Sequence, residues 1–161
     1  MLSEGVRVIK ANLKALAIAG AASDKKALDI ITINMRKVSS VCDYFVIASG
    51  TSTTQVRAIA DHISRKLKDK GERLWHIEGE REALWVLLDF GDVVAHIFLE
   101  ETRRYYDLER LWGDAPQDRY KEPSRVKPAA GKKKPAGKKK PARRKKPAKK
   151  KKPAKKKTVK R

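Results

Sequence analysis

The sequence predicts an α/β fold: a single domain with a mixed five-stranded sheet covered by helices, followed by a basic tail. Segments with helical and strand periodicity alternate over residues 1–118 in the order α-β-β-α-β-β-β-α, which is typical of one mixed sheet with helices on its faces. These residues carry 17 Lys+Arg and 18 Asp+Glu, whereas residues 119–161 carry 23 Lys+Arg and one acid. A segment of about 118 residues is long enough for one hydrophobic core, and the tail lacks the apolar side chains for a second.

The first helix is predicted over residues 6–19. Its apolar side chains recur at spacings of three and four, namely Val6, Ile9, Leu13, Leu16 and Ala17. This periodicity predicts an amphipathic helix that buries those side chains, with Gly20 as its end. A second helix is predicted to begin at Ser52, which forms a capping-box pattern with Gln55, and to end at Gly71. Residues 101–106 and 108–112 are predicted to form two short helices.

Five strands are predicted, at residues 29–35, 43–48, 74–78, 84–88 and 93–99. The first is rich in β-branched side chains, and the second is apolar almost throughout. A continuous apolar strand is typical of the inside of a sheet that is covered on both faces. Residues 89–92 form a short loop with one glycine, so the last two strands are predicted to pair as an antiparallel hairpin.

Residues 119–161 contain a six-residue repeat. Its prolines, each followed by alanine, are Pro135, Pro141, Pro147 and Pro153. The regularly spaced prolines and the repulsion between lysines oppose a helix, so disorder is expected. A flexible coil of residues 119–161 would reach roughly 35–40 Å. The side chains predicted to contact the phosphates of a polyanion are Lys132, Lys133, Lys134, Lys138, Lys139, Lys140, Arg143 and Arg144.

Several classes of function are disfavoured by the sequence. A single cysteine, Cys42, points to a reducing compartment, and the cytoplasm is the predicted location. No apolar run is long enough to span a bilayer, and Glu4 stands where a targeting peptide would be basic, so no membrane partner is expected. The histidines lack the paired spacing of a zinc site, so no metal and no cofactor are predicted. His96 is expected to be a buried or an interface residue that is hydrogen-bonded to a neighbour.

The turn at residues 49–52 leaves one enzymatic alternative open. A glycine turn that begins a helix can present backbone N–H groups to a phosphate. However, the Gly-Lys-Ser/Thr ending of a phosphate loop is missing. A nucleotidyltransferase would also need paired carboxylates on a strand, whereas the nearest candidates, Asp89 and Asp92, flank a hairpin turn. The structural alternative is that Gly50 supplies a positive φ and Ser52 caps the helix. No catalytic residue is assigned.

Aromatic and acidic side chains are concentrated between residues 78 and 112. Trp85 follows a charged run at residues 78–82, and residues 105–112 add Tyr105, Tyr106 and Trp112. Large aromatic side chains set among charges are typical of a protein-binding surface. Core packing is the alternative for each tryptophan and is the preferred interpretation for Trp75.

Six segments resemble one known family. They are ALDI at residues 27–30, DYFVIASGTS at 43–52, VRAIAD at 56–61, EG at 78–79, WVLLDFGDVVAHIF at 85–98 and YYDLERLW at 105–112. In collinear order, over about residues 4–116, they are similar to the ribosomal silencing factor family RsfS, also called Iojap-like. The family fold is nucleotidyltransferase-like but non-catalytic.

The resemblance implies a bacterial factor that is not an enzyme. Such a factor binds the large ribosomal subunit through ribosomal protein L-fourteen and sterically blocks association with the small subunit, which represses translation under nutrient limitation. Family members often form homodimers, so a homodimer is among the expected states. The positions that match the partner-facing residues of the family are Trp85, Asp89, Gly91, Asp92, Tyr106, Leu108, Glu109 and Trp112.

The basic tail departs from the family pattern. One hypothesis is that it tethers the domain to nearby ribosomal RNA and so raises the local concentration at the docking site. The alternative is a tail that binds any polyanion without a specific role. A nucleic-acid-coating protein that acts through the tail is the remaining non-enzymatic alternative for the whole chain.

Overall fold

The computed structural model describes residues 10–122. The elements of this part of the chain are α1 (Ala11–Asp24), β1 (Leu28–Asn34), β2 (Tyr44–Gly50), α2 (Thr53–Asp69), β3 (His76–Glu78), β4 (Trp85–Asp89), β5 (Val93–Leu99), α3 (Glu100–Tyr106), α4 (Leu108–Leu111) and β6 (Gln117–Arg119). The predicted start of the first helix and the repeat of the tail, with its predicted polyanion-binding side chains, lie outside the described residues.

Six strands form one mixed sheet in the order β3-β4-β5-β2-β1-β6. The central strands β2 and β5 are parallel, in register from Tyr44 opposite Val93 to Gly50 opposite Leu99. The other pairs of neighbouring strands in the described sheet are antiparallel, including the predicted hairpin of β4 and β5. The predicted mixed sheet is confirmed, with six strands where five were expected.

The two faces of the sheet are covered differently. On one face, Val46 and Ala48 of β2 pack in a core with Ile18 of α1 and Ile59 of α2. Side chains alternate along a strand, so Ile47 points to the other face, where it joins a second apolar cluster. The long helices α1 and α2 both lie on the first face.

The N-terminus of α2 is capped largely as predicted. The Ser52 hydroxyl oxygen accepts a hydrogen bond from the Gln55 N–H at 3.2 Å, and the Gln55 side chain reaches back to the Thr51 N–H at 2.8 Å. The prediction of a positive φ at Gly50 was wrong, because only Gly71, Gly79 and Gly91 among the described glycines adopt one. At Gly50 a Cβ atom would instead lie 3.1 Å from a methyl group of Val56, so the constraint is close packing of the strand on α2.

The predicted buried face of α1 was wrong. Leu13 and Leu16 are 51% and 52% exposed, and the helix continues past Gly20 to Asp24. The buried side chains are mostly small, namely Ala11, Lys14, Ala15, Ile18, Ala19, Ala21 and Ala22. Alanines allow the helix axis to approach the sheet and α2 closely. The spacing of the leucines marks a different face of the helix and therefore does not predict this contact.

The predicted domain boundary at Asp118 falls inside a strand. β6 pairs with β1, with Asp118 opposite Thr32. Beyond it, the Tyr120 N–H donates to the Ile30 carbonyl oxygen at 2.9 Å, and the Tyr120 side chain packs against the core. The domain therefore includes residues 119–122. The sequence did not indicate β6 because its three residues are polar and exposed on both sides.

A buried lysine joins three parts of the domain. The Lys14 side chain is 5% exposed, and its Nζ atom lies 2.6 Å from a carboxylate oxygen of Glu72 and 2.6 Å from one of Asp92. Burial by itself lowers the pKa of Lys14, but its hydrogen bonds to the two carboxylates outweigh burial and leave the pKa raised. Lys14 thus fastens α1 to the loop after α2 and to the β4–β5 hairpin as a charged group.

Removing this charge is expected to destabilise the domain. We predict that Lys14→Met lowers the free energy of unfolding by about 3–5 kcal/mol, because the buried Glu72 and the half-buried Asp92 both lose their ion pair with the Lys14 ammonium group. Urea unfolding followed by circular dichroism measures the change. The matched control is Lys10→Met at an exposed position, expected within about 0.5 kcal/mol of the parent chain. Equal stability of the two variants would contradict the assignment.

Candidate protein-docking face

The second face of the sheet is only partly covered. Its buried cluster includes Ile33, Ile47 and Phe98. The helices at its edge, α3 and α4, have seven and four residues, so several apolar side chains stay half-exposed. We call this surface the open face, and its side chains are Phe45, Trp85, Leu87, Tyr106, Leu108 and Trp112.

Aromatic rings run in contact across the open face. Trp85 is central: its ring centroid lies 4.9 Å from that of Phe98 below it and 4.9 Å from that of Tyr106 beside it. On the other side, Phe45 lies 6.1 Å from Trp112 between ring centroids. These rings form a preorganised apolar surface, because each is held by its neighbours before any partner arrives.

His96 supports this row from below. It is buried as predicted, 5% exposed, between the rings of Phe45 and Trp85. Its Nδ1 atom accepts a hydrogen bond from the Trp85 indole N–H at 3.2 Å, so Nδ1 carries no proton and the ring is neutral. Burial lowers the pKa of His96 to about 4. The Nε2 atom has no hydrogen-bond partner in the described part of the chain.

The edge of the open face is fixed by the joint between α3 and α4. Asp107 adopts a left-handed conformation with φ 44° and ψ 56°, which turns the chain between Tyr106 and Leu108. The buried Arg103 holds the joint, since its Nε donates to the Glu109 carboxylate at 2.7 Å and its Nη1 donates to the Ser49 hydroxyl at 2.8 Å. These contacts tie the joint to the end of β2.

The structure brings together some of the predicted partner-facing residues and separates others. Trp85, Tyr106, Leu108 and Trp112 lie on the open face, and Glu109 lies beside it in its ion pair with Arg103. Asp89, Gly91 and Asp92 lie at the opposite end of β4, in the hairpin turn.

The hairpin residues have partners within the domain. Asp89 accepts a hydrogen bond from the Gly91 N–H at 2.7 Å, and Asp92 binds Lys14. Gly91 has a φ of +86°, and a Cβ atom there would lie 3.5 Å from the Trp75 ring. The preferred interpretation of Trp75 as a core residue was wrong, because its side chain is 72% exposed beside this turn.

The Cys42 thiol is buried, and burial followed by the charges of nearby carboxylates raises its pKa to about 11, so it stays protonated. Among residues 10–122, no three His, Cys, Asp or Glu side chains gather as ligands for a metal ion. Within the same residues no helix combines the length and apolar character needed to cross a membrane.

Comparison with known proteins identifies the family. The family model described as "Ribosomal silencing factor during starvation" matches residues 9–157. The chain belongs to the ribosomal silencing factor family. The Bacillus subtilis member "Ribosomal silencing factor RsfS" is 49% identical over 98 residues, which cover 61% of this chain and 83% of that protein. The resemblance predicted from the six sequence segments is confirmed.

Other relatives extend the comparison. A crystal structure of a Chromobacterium violaceum protein superposes with a TM-score of 0.64 at 35% identity, over 72% of this chain and 92% of that one. The mouse protein "Mitochondrial assembly of ribosomal large subunit protein 1" is 38% identical over 91 residues, which cover 55% of this chain and 40% of that protein. The silencing-factor domain of this chain therefore shares its fold with bacterial proteins and its sequence pattern with an organellar one.

The neutral His96 predicts a pH dependence of stability. The pKa of about 4 in the folded chain lies below the value near 6.5 expected in the unfolded chain. Between about pH 6.5 and pH 4 the unfolded chain therefore binds a proton that the folded chain does not. The free energy of unfolding falls as the pH is lowered through this range, by about 2–3 kcal/mol at pH 4.5. Urea unfolding at pH 7.5 and 4.5 measures this loss.

The matched variant is His96→Leu, which cannot bind the proton. Its loss of stability between the two pH values is expected to be smaller than that of the parent by about 2–3 kcal/mol, while all other titrating groups contribute equally to both chains. An identical pH dependence of the two proteins would show that His96 is not held neutral by burial.

Proposed function

We propose that this protein is a ribosomal silencing factor that binds the large ribosomal subunit through the open face and sterically prevents the small subunit from joining. The observation that carries the proposal is the preorganised aromatic row on a half-covered sheet face, in a chain of the ribosomal silencing factor family. The consequence is lower translation when nutrients are scarce.

The proposed partner on the subunit is ribosomal protein L-fourteen. The open face fits a protein surface better than RNA, because it is built from apolar and aromatic side chains and the buried cation beside it, Arg103, is paired with Glu109. Further exposed apolar side chains lie on α3 and α4: Tyr105 is 83% exposed and its ring contacts Tyr106, and Leu111 is 69% exposed. Aromatic side chains that become buried when a complex forms carry most of the affinity in protein interfaces.

The roles of the predicted partner-facing residues divide in this proposal. Trp85, Tyr106, Leu108 and Trp112 make the contact, since they present their side chains on one surface. Asp89, Gly91, Asp92 and Glu109 maintain the scaffold, since their polar groups have partners within the domain or form its turns.

Blocking of subunit joining requires only bulk at the right place. A compact domain of the 113 described residues has a radius of gyration of about 13 Å, so it separates two surfaces by tens of ångströms when it is docked between them. No catalytic step is needed, and we propose that the protein acts without one, in the cytoplasm.

In the absence of ribosomes the open face is also the proposed contact of a homodimer, because a second copy would cover its apolar side chains.

Removal of aromatic anchors is the direct test of this function. Trp85→Ala and Tyr106→Ala are each expected to weaken binding to isolated large subunits by about thirtyfold, the effect of a 2 kcal/mol hot spot. Tyr106 is 48% exposed, so its variant is expected to fold even if truncation of Trp85 disturbs the core. Sedimentation with large subunits measures binding, and sucrose gradients measure subunit joining.

The control is Leu16→Ala, which truncates a half-exposed apolar side chain on α1, away from the open face. It is expected to bind and to block joining as the parent chain does. If both aromatic variants folded and still kept the subunits apart, the open face would not be the docking surface.

A further inference from the structure

A buried hydrogen-bond donor lies at the centre of the open face. Within residues 10–122, the Nε2 atom of His96 is buried and has no hydrogen-bond partner. His96 lies in the middle of the sheet, opposite Leu87 of β4 and Ile47 of β2. Because its Nδ1 atom accepts from the Trp85 indole N–H, the proton of the neutral imidazole ring is on Nε2. The open face therefore contains an N–H group that has no acceptor in the described part of the chain.

Aromatic rings stand on both sides of this donor. The centroid of the Phe45 ring lies 4.7 Å from that of His96, and the two rings are nearly perpendicular, at 82°. The centroid of the Trp85 ring lies 5.8 Å from that of His96. A ring face accepts an N–H group only weakly, so an oxygen acceptor that reached Nε2 would be preferred over the neighbouring rings.

The donor lies directly beneath the surface. His96 is 5% exposed, and the side chains that border it on the open face, Phe45, Trp85 and Leu87, are only partly buried. Changes of side-chain rotamer are common at protein interfaces while the backbone stays in place. A rotamer change of one bordering side chain is therefore the opening that contact with Nε2 requires.

The protonation state of the ring specifies the acceptor. Nδ1 cannot take up a proton while it accepts from Trp85, so His96 stays neutral and brings no positive charge to balance a carboxylate. Burying an unbalanced charge in an apolar interface is costly. A neutral carbonyl oxygen carries no such cost and needs only the one N–H donor. The ligand that fits is therefore a carbonyl oxygen of a main chain or of an amide side chain.

We propose that His96 Nε2 donates a hydrogen bond to a neutral carbonyl oxygen of the docked protein, and that this bond selects the partner segment. This inference rests on the proposed function, because it needs a protein docked on the open face. In the free chain the donor is buried without an acceptor, and a partner that supplies the acceptor removes that penalty. An apolar segment without an acceptor at this position leaves the penalty in place and binds more weakly.

The test is a double-mutant cycle in the full chain. His96→Leu removes the proposed donor, but it also removes the acceptor of the Trp85 indole N–H. Trp85→Phe removes that indole N–H and keeps an aromatic ring, so in its background His96→Leu deletes only the proposed donor. The affinity for purified ribosomal protein L-fourteen is measured for the parent, both single variants and the double variant, after circular dichroism has shown that each is folded.

We expect His96→Leu to weaken binding about tenfold in the parent and again about tenfold in the Trp85→Phe chain, because the partner's carbonyl oxygen is left unpaired in both. An effect that disappears in the Trp85→Phe chain would overturn the proposal, since His96 would then act only by orienting Trp85. Full affinity of the His96→Leu chain would overturn it as well.

A second measurement uses the unaltered chain with nitrogen-labelled histidine. Nuclear magnetic resonance is expected to show the Nε2–H proton of His96 moving downfield when unlabelled protein L-fourteen is added, as a new hydrogen bond requires. The ring resonances of His62, which lies on α2 at the other face of the sheet, are expected to stay in place. An unchanged His96 resonance in the complex would contradict the proposal. Failure of the docking proposal is separate, because it appears as unchanged binding of Tyr106→Ala to large subunits.

Discussion

The central strand β5 must be covered on both faces, and the fold supplies long helices for only one of them. Six of its seven residues are buried, so an uncovered second face would expose the middle of the sheet. α1 and α2 close the first face, while on the second a row of aromatic rings and the short helices α3 and α4 give partial cover. The proposed docking surface is therefore a consequence of how the sheet is covered.

Two buried cations, Lys14 and Arg103, hold the helices against the sheet. Lys14 binds the hairpin that continues into β5, and Arg103 binds Ser49 at the end of β2, so each central strand is tied to a helix on a different face. Removing one partner of such a group is costly, because the other is left buried without compensation. In the proposed function these polar residues therefore support the open face from within the domain and need not contact the partner.

Much of the fold could be predicted from the sequence, since β2, β4 and β5 are marked by apolar runs and α2 by its cap and its apolar stripe. The buried face of α1 could not, because its contact uses alanines and a lysine whose two carboxylate partners lie 58 and 78 positions away. In the site, the family resemblance indicated Trp85 and Tyr106, but the contact between Arg103 and Ser49 joins residues 54 apart and has no periodicity to reveal it. Trp75 shows the converse error, since a large aromatic side chain is not by itself a core residue.

The most direct test of the central claim is hydrogen–deuterium exchange of the full chain with and without isolated large subunits. The account predicts that binding slows exchange in peptides from residues 84–89 and 100–112, which form the open face and its edge, and leaves the exposed side of α1 and α2 unchanged. Slower exchange confined to α1 and α2, with the open face as accessible as in the free protein, would contradict it.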